Sequence, residues 1–512
     1  MEFYRHLKEN AIYDFLEPIE YISPAITKYD DFKKAVTDIM VNHRRVLLYG
    51  DYDPDGLMCV LEWKGFFHKF DYNNYEVFQY RNRTHKIDDF AILEAIEGRY
   101  EYIIINDAGT NDITNINKLI QFGVKVILID HHQPKYTYED YPDGCVLVNS
   151  IMENQYNEKH KSKQPKLVVS AGALVFILLD KVLTDYRRYS RDLSAYALCS
   201  LYADCIDMSS PINRGIYHMA RNLGDKVLPL EIRLFLNKYT IFSRRFIEFH
   251  MTPKINSAFR NENFDGLNTA FLTTEYTTPQ VVGNLVDSLT DLHQNSATLV
   301  NTATDIIYYE NVGDFVVGNL NSVNAHIDIT KSRLYNYTGL IANKLAERFK
   351  KPAVVYCGSG GKVKGSFRDI LGRNYLRTFK AFSESEGHNA AFGIKLNVLE
   401  VPDFLRNLED FGVNEEARKV TNEPIKIKGY TVPPSYQELN DMANYNEFAG
   451  ITHPLVVIEV VRTASMKERP NNYGGYVYRW QNYNINSSRR VPVGCKMMVR
   501  PTVGKDLRLY AI

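Results

Sequence analysis

Short apolar runs alternate with helix-length mixed stretches through the first half of the chain. The runs are Arg45-Val-Leu-Leu-Tyr49, Tyr102-Ile-Ile-Ile105 and Lys125-Val-Ile-Leu-Ile129. Each is rich in β-branched or aromatic residues and lacks the alternation of a half-exposed strand, which predicts strands buried on both faces. The helical patterns between them predict parallel βαβ units. Asn111 to Gly123 has the length of a crossover helix and closes on a glycine. The apolar stretches Ser170–Asp180 and Ala195–Ala203 predict buried helices, and the polar, lysine-rich stretch 154–166 reads as a surface loop. From 226 to 304 the pattern is helical and charged, as in a connector. A second, smaller α/β pattern fills 305–420, with a strand at Pro352–Tyr356. From 421 to 512 strand-like alternation returns at Val456–Val461 and Tyr476–Trp480, predicting a small β-barrel. The first α/β domain is expected to occupy 1–225.

Composition changes this picture little. A chain of 512 residues has room for two to four domains, and 45% hydrophobic with 24% charged residues is ordinary for a globular protein. Formal net charge is zero, so any nucleic-acid surface must be a local basic groove. Six scattered cysteines with no CxxC pair argue against a zinc ribbon or disulfide framework and suit a reducing cytoplasm. No stretch approaches the roughly 18 apolar residues of a membrane span, so no membrane partner is expected.

The candidate chemistry lies where the strands end. Asp51, Asp53 and Asp55 follow the first run, Asp107 follows the second, and Asp130-His131-His132 follow the third. Asp204 follows the apolar run 196–203. Ligands of an open parallel sheet bind at this carboxyl edge. A single strand-end aspartate is commonly just a helix cap. Asp-x-Asp-x-Asp-Gly, a lone Asp and Asp-His-His at successive strand ends are instead a converging set of like charges, which bound cations relieve. Asp53, Asp55, Asp107 and Asp204 balance two divalent ions, and His131 adds one nitrogen. Mostly oxygen ligands with one imidazole favour Mn2+ or Mg2+ over zinc. Two such ions could share a water, lower its pKa and stabilise both attacking and leaving oxygens. Asp107, alone on its strand, is the candidate shared ligand. Asp130 is placed to orient an imidazole, and Asp51 is either a ligand or a strand-end cap.

With Asp130-His-His132, the chain resembles the DHH family of phosphoesterases and, within it, the RecJ group. Gly50-Asp-Tyr-Asp-Pro-Asp-Gly56 is similar to that group's first motif, Asp107-Ala-Gly109 to the second and Ala203-Asp204 to the fourth. Pro253-Lys-Ile-Asn-Ser-Ala-Phe-Arg260 is similar to a further stretch of the group. Gly365-Ser-Phe-Arg368 and Gly387-His388 to Gly393 resemble motifs of its DHH-associated domain. Phe448-Ala-Gly450 with Pro454 resembles the junction before an oligonucleotide-binding barrel. The resemblance implies an α/β architecture: a parallel-sheet DHH domain, a smaller α/β DHH-associated domain and then that barrel. It implies a 5′-to-3′ exonuclease on single-stranded DNA, with the acidic residues and His131 on metal. His132, Arg83, Arg260, Arg368 and His388 would then face phosphates. Three departures stand out: Glu386 and Asp369 put negative charge beside the expected phosphates, and Phe367 replaces a glycine.

Two other functions stay open on the residues alone. One is a phosphodiesterase of the same chemistry acting on short oligonucleotides or cyclic dinucleotides. The other is a non-catalytic replication or repair module. Tyr476, Tyr478 and Trp480 alternate, with Tyr473, Tyr483 and Arg489-Arg490 nearby. That pattern fits either a stacking platform for single strands or the barrel's own core.

Overall fold

A computed structural model describes residues 2–9, 13–81, 86–236, 241–273, 278–359, 361–370, 373, 375–388, 390–410, 425–427, 433–449, 455–471, 475–503 and 507–512. The chain forms two compact units, Met1–Ser288 with Pro424–Ile512, and Leu289–Glu423.

The first unit is built on a parallel sheet of five strands: β1 (Val46–Gly50), β2 (Tyr75–Val77), β3 (Tyr102–Asn106), β4 (Lys125–Asp130) and β5 (Cys145–Asn149). Their order is β2-β1-β3-β4-β5, and in register Gly50 lies beside Asn106, Asn106 beside Ile129, and Asp130 beside Asn149. The three apolar runs are the three central strands, buried along almost their whole length. The edge strands β2 and β5 are additions to the sequence reading. Three residues, Tyr-Glu-Val, are too few to show a pattern in β2.

The helices Pro54–Lys69, Ala171–Asp185 and Ser194–Ala203 pack on one another and are buried on nearly every side. Helices apolar all round belong in a core. Trp63 locks the first of them to the sheet, its Nε1 donating to Asn106 Oδ1 at 3.0 Å, while Asn106 Nδ2 donates to Tyr49 O at 2.9 Å. The stretch 154–166 departs from expectation, because its first residues belong to a helix, Ser150–Lys159. The Asn149 side chain caps that helix through the amides of Ile151 and Met152, a start signal that the polar composition hid.

The second unit carries six strands: β6 (Tyr308–Val312), β7 (Phe315–Asn319), β8 (Ala353–Ser359), β9 (Lys362–Arg368), β10 (Glu384–His388) and β11 (Ala391–Asn397). The order is β10-β11-β9-β8-β7-β6, and only β7 and β8 run parallel. Helix Thr338–Phe349 covers one face through Ile341 and Leu345. Phe315, Phe367, Phe379, Phe392 and Phe404 form the core of the other. Phe367 stacks on Phe392 at 4.6 Å, so it is a core residue rather than a stand-in for a loop glycine.

The C-terminal strands β12 (Ile425–Ile427), β13 (Val456–Val461), β14 (Glu468–Pro470), β15 (Tyr476–Trp480), β16 (Tyr483–Ser487), β17 (Lys496–Thr502) and β18 (Arg508–Ala511) form one sheet within the first unit. Its order is β12-β13-β17-β18-β16-β15-β14. The β-rich ending matches expectation, whereas pairing of β12 with β14 to close a barrel is not found among the described residues. The stacking platform is not found either. Tyr478 and Trp480 are 0% and 2% exposed, and Tyr478 Oη accepts a hydrogen bond from the Val491 amide at 2.7 Å. Tyr473 lies outside the described residues. Among the described residues, no helix is long and apolar enough to cross a membrane.

Candidate active site

The chain leaves β1 through a turn made compact by two glycines. A Cβ on Gly50 would sit 2.4 Å from Gly56 O, and one on Gly56 would sit 2.4 Å from Asp51 N. The turn packs directly on itself, which brings Asp51, Asp53 and Asp55 to the sheet edge together. Asp53 caps helix Pro54–Lys69, its Oδ1 accepting from the Gly56 amide at 3.0 Å, with Pro54 in the first turn. Capping and ligation are compatible here, because Asp53 still groups with Asp51 and Asp107, one oxygen from each lying within 4.8 Å of the others. Asp51 makes no such cap, and its Oδ1 is buried without a hydrogen-bond partner among the described residues.

Asp55 is held differently. Its two oxygens accept from the Ala171 and Gly172 amides at 3.0 and 2.9 Å, and Ser200 Oγ donates to it. The start of helix Ala171–Asp185 thus carries part of its charge. A Cβ at Gly172 would come within 3.1 Å of Asp55 Oδ1 and 2.6 Å of Ser200 Oγ. Sequence reading missed this support, although Ser170-Ala-Gly opening an apolar helix was a visible signal.

Asp107 follows β3 in the left-handed region, φ 61°, which costs a non-glycine residue of order 1 kcal/mol. The conformation turns its carboxylate into the cluster, where Oδ1 is buried without a hydrogen-bond partner among the described residues. His131 Nε2 lies 3.3 Å from Asp107 Oδ1, 3.5 Å from Asp204 Oδ2 and 3.8 Å from Asp55 Oδ2. Asp204, at the end of helix Ser194–Ala203, likewise has a buried, unpartnered Oδ2. The ligand-capable groups are Asp51–Asp53–Asp107, Asp55–His131–Asp204 and Asp107–His131–His132. Asp107 and His131 each belong to two of them.

Burial, followed by the neighbouring carboxylates, raises the Asp51 and Asp107 carboxyls well above their usual range, and Asp204 likewise. Burial also raises Asp55, against the pull of His131 and its hydrogen bonds. Burial lowers the His131 imidazole, leaving Nε2 free to act as a neutral donor. For His132, burial works downward, but the charge and 2.7 Å contact of Asp130 outweigh it and push the pKa up to about 10. Asp130 itself accepts from the His131, His132 and Thr110 amides and stays ionised, so it orients the His132 ring and pins the backbone at His131 instead of joining the cluster. Three unpartnered buried oxygens together with one imidazole nitrogen form a donor set that fits hard divalent cations.

The site loop is braced by aromatics that the sequence did not single out. Tyr80 Oη donates to Asp51 O at 3.1 Å, and its ring lies 4.6 Å from Tyr52, whose Oη donates to Asp88 Oδ2 at 2.6 Å. Phe259, from helix Thr252–Asn261, packs on Tyr80 at 5.2 Å. The helix carrying Arg260 therefore supports the loop of Asp51 through Tyr80. Arg260 is half-buried in its last turn. Arg83 lies outside the described residues.

Arg368 and His388 belong to the second unit. Arg368 NH1 donates to Phe367 O, and its guanidinium lies where a Cβ on Gly339 would be, at 2.5 Å, beside the start of helix Thr338–Phe349. His388 is in β10, but its side chain lies outside those described. Asp369 is neutralised in place, taking Arg373 Nε and NH2 at 2.9 and 3.0 Å and the Arg373 amide at 3.0 Å. Of the two negative charges expected beside phosphate, that of Asp369 is thus already paired, and the Glu386 side chain lies outside those described.

Residues 45–204 match the model of the DHH family, N-terminal domain. The chain is similar to the single-stranded-DNA-specific exonuclease RecJ of Bacillus subtilis, with 22% identity over 418 residues, covering 78% of this chain and 49% of that protein. It is also similar to the putative SPbeta prophage-derived single-strand DNA-specific exonuclease YorK of the same organism, with 24% identity over 363 residues, covering 64% of this chain and 60% of that one. The chain thus spans about half to three fifths of the curated relatives it matches. Among solved structures it resembles manganese-bound RecJ of Thermus thermophilus, with a TM-score of 0.71, 15% identity, and coverage of 99% of this chain and 74% of that one. That likeness shows the fold.

Proposed function

We propose that this RecJ-like DHH protein is a metal-dependent exonuclease that hydrolyses phosphodiester bonds of single-stranded DNA, working from the 5′ end. The observation that carries the reading is the set of buried, unpartnered oxygens of Asp51, Asp107 and Asp204 gathered at the sheet edge with His131. Without cations this arrangement is a cost with no return. Asp51, Asp53 and Asp107 would hold one ion and Asp55, His131 and Asp204 the other, with Asp107 the candidate shared ligand. Two Mn2+ or Mg2+ ions would lower the pKa of a water and neutralise the phosphodiester.

The chain's own residues supply the rest. Asp130 holds His132 in one orientation, leaving its second nitrogen to donate to a phosphate oxygen. The Ala171 and Gly172 amides and Ser200 keep the Asp55 carboxylate fixed. Arg260 would position a phosphate by guanidinium contacts, and Arg83, Arg368 and His388 complete the set of phosphate contacts that the resemblance implies.

The test is digestion of 5′- and 3′-labelled single strands with manganese, magnesium or chelator, beside a dinucleotide. Metal-dependent release of nucleotides from the 5′ end of long strands is the expected result. Cleavage confined to the dinucleotide would move the assignment to a short-substrate phosphodiesterase. No hydrolysis with either metal would make the chain a binding module.

A further inference from the structure

Residues 244–261 form one continuous helical path: a turn at Arg244–Phe246, a wide five-residue π turn at Ile247–Met251, and helix Thr252–Asn261. The wide turn has a local cause. Pro253 has no N–H to give to the carbonyl four residues back, which belongs to Phe249, and its ring would crowd that carbonyl in a regular helix. The backbone widens there, and such turns concentrate at functional positions.

Phe249 sits in this turn with 53% of its surface exposed. The Arg245 guanidinium lies 5.1 Å from the Phe249 ring centre and only 3.5 Å from that of Tyr510 on β18. Arg245 is therefore stacked on a tyrosine, next to an exposed aromatic ring, and makes no ion pair among the described residues. Other basic residues lie nearby, although burial and the Arg245 charge hold the His250 imidazole below its usual range. Arg500, opposite Tyr510 in the sheet, has a buried Nε with no partner among the described residues. His250 and Lys254 follow on the helical path. The nearby acids are already engaged or fewer: Glu248 takes Arg244 Nε at 2.7 Å, Glu447 takes the Arg244 amide at 3.0 Å, and Asp287 faces Lys254.

We propose that Phe249, backed by Arg245 on Tyr510, is a stacking step for a nucleobase of single-stranded DNA. This rests on the nuclease reading and extends it to a second contact point outside the metal cluster. An exposed ring beside a pinned guanidinium offers the sequence-tolerant π surface and the positive charge that such strands need. Packing on Tyr510 fixes the Arg245 side chain in advance, so little freedom is lost when a base arrives. Arg260 lies eleven residues further along the same path, about 16 Å at helical rise. A strand gripped near Arg260 would therefore reach Phe249 within a few nucleotides.

The experiment measures anisotropy of a labelled, non-hydrolysed oligothymidine in chelator, with wild type, Phe249→Ala, Phe249→Leu and Phe249→Trp. A stacking step predicts affinity reduced about five- to a hundredfold in Phe249→Ala. Phe249→Leu should be nearly as weak, because it keeps apolar area but not the ring, and Phe249→Trp should bind at least as well as wild type. Melting temperatures should stay together, since the ring is exposed. Hydrolysis of a dinucleotide, too short to reach the step, should be unchanged. Equal binding by wild type, Phe249→Ala and Phe249→Leu would overturn the step and leave the nuclease reading standing. Wild type that neither binds nor cleaves single strands would overturn both. Equal loss for single-stranded RNA would leave the stacking step in place and widen its ligand.

Discussion

Two buried carboxylate sites, one in each unit, handle charge in opposite ways. Asp369 is buried and fully answered: Arg373 meets both oxygens and adds its amide. Asp107 is just as buried, yet the carboxylates acting on it are Asp55, Asp53, Asp51 and Asp130, and one of its oxygens has no hydrogen-bond partner among the described residues. The fold can satisfy a buried carboxylate with its own cation when structure is the purpose. Where it leaves several unsatisfied and braces them with Tyr80, Ser200 and helix amides, the missing positive charge is to come from outside.

The largest effect should come from breaking the open site. Asp107→Ala is expected to bring hydrolysis of a labelled single strand down to assay background at saturating manganese. The metal-free variant should melt no lower than wild type, because a like charge has left the cluster. Wild-type turnover in this variant would remove Asp107 from the metal site.

The closed site should respond the other way. Asp369→Ala strands Arg373 in a half-buried position, and breaking a buried pair costs about 3–5 kcal/mol. A urea or thermal melt should show that loss, with no recovery on adding manganese. Unchanged stability would mean that the Asp369–Arg373 pair is not what holds that corner of the second unit.

Much of the open site was legible because it is written as short local motifs at the ends of strongly patterned strands. Gly50 to Gly56, Asp107 and Asp130 to His132 each follow a run that only a buried strand explains. What stayed hidden depends on distant partners. Nothing local to Asp55 announces that Ala171 and Gly172 will hold it, and Tyr52, Tyr80 and Phe259 look like ordinary core residues until they meet. The Tyr476–Trp480 alternation was readable as a strand but not as platform or core, because period two says which residues share a face and not what covers it. Phe249 was passed over for a related reason: three residues after Phe246 it reads as part of an ordinary apolar helix face, and spacing does not say what covers it.

Metal and pH sharpen the contrast further, at a smaller scale. Saturation at about a hundred times Kd should stabilise the wild type by roughly 2.7 kcal/mol per site and leave Asp107→Ala with much less. The open-site carboxyls titrate above their usual range in the fold. A carboxyl with a raised folded pKa favours the fold when protonated. That contribution is complete below the unfolded value near pH 4 and is lost as pH rises through the folded pKa. Metal-free wild type should therefore melt higher at about pH 5 than at about pH 8, by more than Asp107→Asn does. A pH trend identical in both proteins would assign it to groups elsewhere.

The finest distinction separates two neighbours on one helix. Phe259 is 1% exposed and packs on Tyr80, so its task is to brace the site loop. Arg260, next in sequence, is half-buried at the helix end. If Arg260 grips a phosphate, Arg260→Ala should raise KM with little change in kcat. It should also make the slope of log affinity against log salt shallower by about 0.7, one single-strand contact. Phe259→Ala should instead lower melting by the roughly 3–5 kcal/mol of a large core truncation, and leave the salt slope alone, since no counterion is released at a buried ring. If Arg260→Ala lowers melting and keeps the wild-type salt slope, the arginine is part of the brace. Helix Thr252–Asn261 would then serve the metal site only through packing.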